Sequence, residues 1–127
     1  MGRASAAGAL GRHGEELAAE HLAQRDYRIL ARNWRADPVR DGVRGEADLV
    51  AEHDGWLVVV EVKTRSSFHY GHPFESITPP KAARLHRLAV AWARLHGRDP
   101  RLIRVDAVAV TALPGTPPCI EVLTRIH

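Results

Sequence analysis

Residues 46–65 read EADLVAEHDGWLVVVEVKTR. Within them, two β-prone runs flank Asp54-Gly55, a dipeptide that favours a hairpin turn because both residue types tolerate positive φ. We therefore predict two antiparallel strands, over 46–53 and 56–63. The run from Trp56 to Val60 is apolar on both faces, which is typical of an interior strand. The pattern predicts that this hairpin lies inside a β-sheet.

The length of the predicted turn decides which side chains face each other across the hairpin. A two-residue or four-residue loop places Asp48 opposite Glu61 and Glu46 opposite Lys63, whereas a three-residue loop would break this register. Directly opposed residues have Cβ atoms roughly 4.5–5.5 Å apart, and like charges at that separation repel. A divalent cation removes this penalty, since Mg²⁺ takes oxygen ligands and often only one or two carboxylates. The register thus predicts a Mg²⁺ or Mn²⁺ site at Asp48 and Glu61.

Lys63 lies on the same strand face as Glu61, about 6.5–7 Å further along, because side chains alternate with period two. A lysine there can orient or help deprotonate a water that a metal has acidified. The alternative is a solvent-facing hairpin in which Glu46 simply pairs with Lys63. We favour the metal site because charged side chains are unexpected at the end of a buried strand unless they have a function there.

The rest of the chain predicts an α/β domain with a mixed sheet flanked by helices. Residues 1–10 are interpreted as a flexible tail and 11–127 as a single domain. The predicted elements are a helix over 11–25, a strand over 27–34, the hairpin, a helix from Pro79 to about His96, and strands over 102–111 and 120–123. Loops are predicted over 37–45 and 66–78, so the order is α-β-β-β-α-β-β.

Composition excludes several classes of protein. A chain of 127 residues with 45% apolar and 26% charged residues fits one globular domain rather than a disordered chain. Its single cysteine, Cys119, cannot form an internal disulfide, which favours a reducing, cytoplasmic location. No run approaches the roughly 20 apolar residues of a membrane-spanning helix, so no membrane partner is expected.

Several short motifs together carry a resemblance to a known family. Asp48 followed by Glu61-Val62-Lys63 resembles the PD-(D/E)xK signature of restriction-endonuclease-like nucleases. More specifically, the chain resembles the YraN-type family of small bacterial proteins that share that fold. The likeness covers most of the chain, in Gly11-Arg12-His13-Gly14-Glu15, Asn33-Trp34-Arg35, Gly45-Glu46-Ala47-Asp48-Leu49, Glu61-Val62-Lys63-Thr64-Arg65, Gly71-His72-Pro73, Lys81 and Arg104-Val105-Asp106.

The resemblance implies a nuclease-like site. Asp48 and Glu61 would be metal ligands, Lys63 the water-orienting lysine, and Glu15 a further carboxylate from the first helix. This arrangement, including the helix glutamate, is similar to that of archaeal Holliday-junction resolvases, which suggests branched DNA as the substrate class. The alternative for Glu15 is that it only complements the helix dipole, which Glu16 could do equally well.

Basic residues suggest where a nucleic acid would lie. The net charge is +3, and 16 of the 18 basic residues are arginine, whose planar fork suits phosphate. One side of the second predicted helix carries Arg84, Arg87, Arg94 and Arg98, which form either a phosphate track or a solvated face. Basic residues of the preceding segments would extend that track, namely Arg32, Arg35, Arg40, Arg44 and Arg65. Lys81 begins the same helix and would reach the site or a phosphate.

The sequence as a whole is interpreted as a Mg²⁺- or Mn²⁺-dependent DNA endonuclease acting on branched or structured DNA. The main alternative is a catalytically inactive nucleic-acid-binding factor that uses the nuclease fold as a scaffold. A third class is an RNA-processing or protein-interaction module. A homodimer would suit the endonuclease, because cutting both strands of a junction usually needs two sites.

Overall fold

The structure is a computed structural model that describes residues 6–67 and 71–127. Helices and strands follow the predicted order α-β-β-β-α-β-β, with two short helices added inside predicted loops. The elements are α1 (Ala6–Ala23), β1 (Arg28–Arg35), α2 (Pro38–Asp41), β2 (Glu46–His53), β3 (Trp56–Arg65), a 3-10 helix (Pro73–Ser76), α3 (Pro79–Leu95), β4 (Ile103–Thr111) and β5 (Cys119–Leu123). A mixed α/β architecture is therefore confirmed.

The predicted bounds differ from the observed ones where the chain gives no periodic pattern. Helix α1 begins at Ala6, so residues 6–10 belong to the helix rather than to the predicted tail, and residues 1–5 lie outside the described residues. Helix α2 forms within the predicted loop because Asp37 accepts the backbone N–H groups of Val39 and Arg40. One turn of helix is too short to show a 3.6-residue period. Of the predicted loop over 66–78, residues 68–70 are not described.

A five-stranded sheet forms the middle of the molecule, in the order β1-β2-β3-β4-β5. Strand β3 pairs with β2 in antiparallel fashion and with β4 in parallel fashion, and α3 connects the two parallel strands. The hairpin is therefore inside the sheet, as predicted. No helix in residues 6–67 and 71–127 is long and apolar enough to cross a membrane.

The hairpin register is the predicted one. His53 pairs with Trp56, and the ladder runs back to Leu49 opposite Val60. At the turn, Asp54 has φ of 50° and Gly55 has φ of 82°. Two consecutive positive φ values match the right-handed twist of the flanking strands, which is why this dipeptide sets a two-residue turn.

Helices α1 and α3 cover different sides of β3. Val58 and Val60 pack with Ala18 and Leu22 of α1, in a core cluster that also includes residues of β2 and β4. On the other side, Leu57 and Val59 pack with α3 residues. Successive side chains of these β3 residues therefore point to opposite sides of the sheet, as predicted, and this part of the strand is buried on both sides.

A buried ion pair joins distant parts of the chain. Asp106 on β4 is fully buried and accepts the Tyr27 hydroxyl at 2.6 Å and the Arg104 Nε at 2.9 Å. It also accepts the backbone N–H of Arg125 at 3.0 Å. Burial and the hydrogen bond to Asp106 raise the pKa of Tyr27 well above its usual value. This network ties β4 to the connection after α1 and to the C-terminal segment.

Asp106→Ala is expected to destabilise the fold by about 3–5 kcal/mol, because it leaves the buried guanidinium of Arg104 without its carboxylate. The matched control is Asp99→Ala. The Arg101–Asp99 pair has the same 2.9 Å separation as the Arg104–Asp106 pair, but the Arg101 side chain is 88% exposed. The control is therefore expected to cost much less than Asp106→Ala, because an exposed ion pair contributes little to stability. Urea unfolding measures both values, and equal losses would contradict a structural role for the buried pair.

Candidate active site

The sheet opens into a fork where the predicted site residues lie. The ladder between β2 and β3 ends at Leu49 and Val60. Beyond that point, β3 continues beside β4 as far as Arg65, whereas the start of β2 stays paired with β1 as far as Glu46. Asp48 therefore lies on one arm of the fork and Glu61 on the other.

Asp48 is held in the fork by a hydrogen bond that replaces the missing ladder. Its Oδ2 accepts the backbone N–H of Val62 at 2.8 Å, and its carboxyl group also hydrogen-bonds that of Glu61. Burial, followed by the contact with Glu61, raises the pKa of Asp48 to about 8. The surroundings of Asp48 therefore disfavour its ionised form. The structure brings together the two carboxylates that the register predicts, while their role as metal ligands stays a prediction.

Glu15 reaches this site because α1 comes unusually close to β3. A Cβ on the buried Gly14 would lie 1.9 Å from Oγ1 of Thr64, so only glycine permits this approach. Burial and the nearby Asp48 raise the pKa of Glu15. Glu16 instead forms a 3.2 Å ion pair with Arg32. The two adjacent glutamates are thus in different environments, and only Glu15 faces the carboxylate pair.

Asn33 on β1 connects Glu15 to Glu46. With its nitrogen turned toward the carboxylates, the carboxamide donates to Glu15 Oε2 at 3.0 Å and to Glu46 Oε1 at 3.1 Å. The other oxygen of Glu46 forms a 3.3 Å ion pair with Arg35. Four acidic side chains, contributed by α1, β2 and β3, therefore lie around the fork.

Lys63 lies two residues beyond Glu61 on β3 and is partly buried. The alternative pairing of Glu46 with Lys63 is wrong, because the β2–β3 ladder has already ended and Glu46 pairs with Arg35 on β1 instead. Lys63 thus lies on the Glu61 arm of the fork, two residues further along β3.

The residues of the fork fit a divalent cation. Asp48 and Glu61 supply oxygen donors, and burial and the contact with Glu61 both raise the pKa of Asp48, so a nearby positive charge would favour its ionised form. In the described part of the chain, no group of three or more His, Cys, Asp or Glu side chains is arranged to hold a metal ion. Two carboxylates suit Mg²⁺ or Mn²⁺, which usually keep several waters or substrate oxygens as ligands.

Three predicted phosphate contacts lie next to the fork. Arg35 and Arg44 line a cavity of about 520 Å³ together with Glu46. The Nε of Arg84 lies 3.7 Å from the position that a Cβ on Gly45 would occupy, so α3 brings this guanidinium beside the start of β2. The structure therefore places positive charge along one side of the acidic site.

Other predicted basic residues lie further away. Arg87 lines a cleft of about 400 Å³ with Arg40 and Arg94, between α2 and α3. Arg65, the last residue of β3, lines a smaller cavity of about 200 Å³ with Ser66. Lys81 donates from Nζ to the Ser76 carbonyl at 3.0 Å, so it links the 3-10 helix to α3.

The prediction of Arg98 on the arginine face of α3 is wrong. Helix α3 ends at Leu95, and Arg98 forms an ion pair with Glu52, which also pairs with Arg28 at 2.9 Å. Glu52 lies next to the hairpin turn, at the opposite end of β2 from Asp48. Arg98 is therefore bound to a carboxylate away from the fork, and Arg32 is similarly bound to Glu16.

Asn33 and Gly14 contribute to the site although no individual role was predicted for either residue. Asparagine is depleted in strands, so its presence in the predicted strand over 27–34 indicates that this position is unusual. A glycine inside a helical pattern costs about 1 kcal/mol against alanine and usually has a packing reason. Both signals are visible in the sequence, but neither says which partner the residue meets.

Comparison with known proteins identifies the family. The model of a family described as "Uncharacterised protein family UPF0102" matches residues 14–110. The chain belongs to family UPF0102. The matched span includes Glu15, Asp48, Glu61 and Lys63, and the resemblance to the YraN-type family is confirmed at the family level.

The chain is similar to UPF0102 proteins over nearly their full length. It is 50% identical to one from Renibacterium salmoninarum over 112 residues, covering 88% of this chain and 90% of the relative. One from Clavibacter michiganensis subsp. michiganensis is 46% identical over 114 residues, covering 90% and 92%. One from Acidothermus cellulolyticus is 46% identical over 130 residues, covering 94% of each.

In this UPF0102 chain, Asp48→Asn is expected to make the metal-free protein more stable than the wild type, and this difference is expected to grow as pH rises. In the folded protein, burial and the contact with Glu61 raise the pKa of Asp48 to about 8, well above the ordinary value of roughly 3.9 for an aspartate. Between these values the folded state holds a proton that the unfolded state has released, so the wild type loses stability with rising pH. Asparagine mimics the protonated carboxyl and keeps the acceptor for Val62.

Thermal midpoints in a chelator at pH 5 and pH 8.5 measure this difference. The variant is expected to gain at least about 1 kcal/mol over the wild type at pH 8.5, which is about 3–5 °C for a chain of this size, and less at pH 5. A difference that does not change with pH would show that Asp48 carries no raised pKa.

Proposed function

We propose that this UPF0102 chain is a divalent-metal-dependent nuclease of the PD-(D/E)xK type that hydrolyses phosphodiester bonds in DNA. The observation that carries the proposal is the contact between Asp48 and Glu61 across the fork, with Lys63 next to it on β3. A mixed sheet with a helix on each side agrees with the restriction-endonuclease-like fold that the resemblance implies.

The proposed roles follow from the chemistry of each side chain. A bound Mg²⁺ or Mn²⁺ would supply positive charge beside the scissile phosphate and lower the pKa of water at the site. Asp48 and Glu61 would hold the cation through their oxygens. Lys63 would orient the attacking water with its ammonium donors. Glu15 would add negative charge on the α1 side and so strengthen cation binding.

The proposed substrate follows from the positive side of the site. A DNA strand that crosses the fork would meet Arg35, Arg44 and Arg84 with its phosphates, and guanidinium groups bind phosphate in a bidentate manner. Arg87 would extend the contact along α3. The preference for branched DNA, and a homodimer that cuts two strands, come from the resemblance to junction resolvases.

A metal-dependent cleavage assay tests the proposal, with duplex, single-stranded and four-way-junction DNA as substrates. Asp48→Asn is expected to lower the cleavage rate at least about 100-fold, because it removes a proposed ligand from the cation. The matched control is Asp54→Asn, the same chemical change in the exposed turn of the same hairpin. Since asparagine also tolerates positive φ before glycine, this control is expected to cleave like the wild type.

Two outcomes would contradict the proposal. Cleavage that survives Asp48→Asn would come from another site or from a contaminating nuclease. Binding of DNA without cleavage of any of the three substrates, with Mg²⁺ or Mn²⁺, would instead favour the inactive binding factor that uses this fold as a scaffold.

The double change Arg84→Gln and Arg87→Gln tests the proposed DNA surface. Each lost phosphate contact is expected to reduce the slope of log affinity against log salt by about 1, because fewer counterions are released. The slope is therefore expected to fall by about 2. Fluorescence anisotropy with a labelled junction at several salt concentrations measures it.

The control for this surface is Arg101→Gln. Arg101 is as basic and more than four-fifths exposed, but it pairs with Asp99 in the segment before β4. The slope is expected to stay unchanged for this variant. If the double variant also keeps the wild-type slope, the arginines of α3 are only solvated surface.

A further inference from the structure

The backbone of Asn33 is exceptional for a strand residue. It has φ of 51°, although it lies within β1 between Arg32 and Trp34, which pair with Leu49 and Ala47 of β2. A positive φ is unfavourable for any residue with a Cβ, and asparagine is among the few that tolerate it. Such strained residues persist where the surrounding structure holds them, and they concentrate at functional sites.

The side chain of Asn33 hydrogen-bonds two carboxylates. One carboxamide nitrogen donates to Glu15 Oε2 at 3.0 Å and to Glu46 Oε1 at 3.1 Å. The two acceptors come from α1 and β2, while the donor comes from β1. Asn33 therefore joins three elements at the edge of the fork through a single amide group.

Glu15 depends on this contact more than Glu46 does. Glu46 is also held by Arg35 at 3.3 Å. In the part of the chain that the structure describes, Asn33 is the hydrogen-bond partner of the Glu15 carboxylate. Because Asp48 and Glu46 both repel Glu15, removal of the amide donor would let the Glu15 side chain turn away toward solvent.

We propose that Asn33 is a positioning residue, whose left-handed backbone aims its carboxamide at Glu15 and Glu46 and so holds Glu15 beside Asp48. The effect on cation binding rests on the proposed function, whereas the bridge itself does not. Removal of a comparable outer contact in metal sites typically weakens metal binding 10- to 100-fold.

Substitution to glycine separates the side chain from the backbone. Glycine adopts positive φ without penalty, so Asn33→Gly keeps the fold of β1 but removes the bridging amide. Asn33→Ala removes the amide and adds backbone strain. We expect the metal-free Asn33→Gly protein to melt above Asn33→Ala, and its Mn²⁺ dissociation constant to rise about 10-fold or more over the wild type, measured by water proton relaxation. Wild-type Mn²⁺ affinity in Asn33→Gly would overturn the proposal.

Nuclear magnetic resonance of the metal-free protein provides a test that does not depend on function. The side-chain ¹H–¹⁵N signals of Asn33 are identified by their loss in Asn33→Gly. They are expected to shift in Glu15→Gln, and to stay in place in Glu16→Gln, which alters the neighbouring glutamate that pairs with Arg32. An Asn33 amide that does not respond to Glu15→Gln would overturn the bridge. If the wild type binds no Mn²⁺, the proposed function fails, and this signal alone decides the role of Asn33.

Discussion

The contact between the carboxyl groups of Asp48 and Glu61 follows from the way β3 changes its neighbours. Near the hairpin turn β3 lies between β2 and β4, but from Glu61 onward the ladder continues only with β4. The parting strands leave the N–H of Val62 without a ladder partner, and the Asp48 side chain accepts it. The same hydrogen bond that closes the fork therefore places Asp48 against Glu61. The unfavourable contact between these two carboxyl groups is therefore a consequence of the sheet topology.

The rest of the site is arranged around that negative charge. Helix α1 comes close enough to contribute Glu15 only because Gly14 lacks a side chain at its contact with Thr64. Asn33 and Arg35 then supply donor groups to the outer carboxylates. These partners satisfy the outer acidic groups through hydrogen bonds and an ion pair, but they leave the Asp48–Glu61 pair to share a proton or to bind a cation. A divalent cation is the partner that we propose for this pair.

Local sequence was sufficient to predict the hairpin, its register and its place inside the sheet. Asp54-Gly55 takes the positive φ values that a two-residue turn needs, and the register then brings Asp48 toward Glu61. The alternation of side chains along a strand does not reveal where its pairing with a neighbouring strand ends. That end depends on which other strand each of the two continues to pair with. This is why the pairing of Glu46 with Lys63 was wrong. The environment of Glu15 likewise depends on the close approach of Gly14 on α1 to Thr64 on β3, 50 positions later in the chain, which no local pattern records.

Two aspartates of this fold have contrasting surroundings, since Asp106 is fully buried and Asp48 is half-buried. Asp106 receives donors from Tyr27, Arg104 and the backbone of Arg125, so its charge is neutralised within the protein. Asp48 receives one backbone N–H and faces another carboxyl group, and its pKa rises to about 8. This contrast supports the proposal that the fork binds a cation, which would relieve the repulsion between the two carboxyl groups.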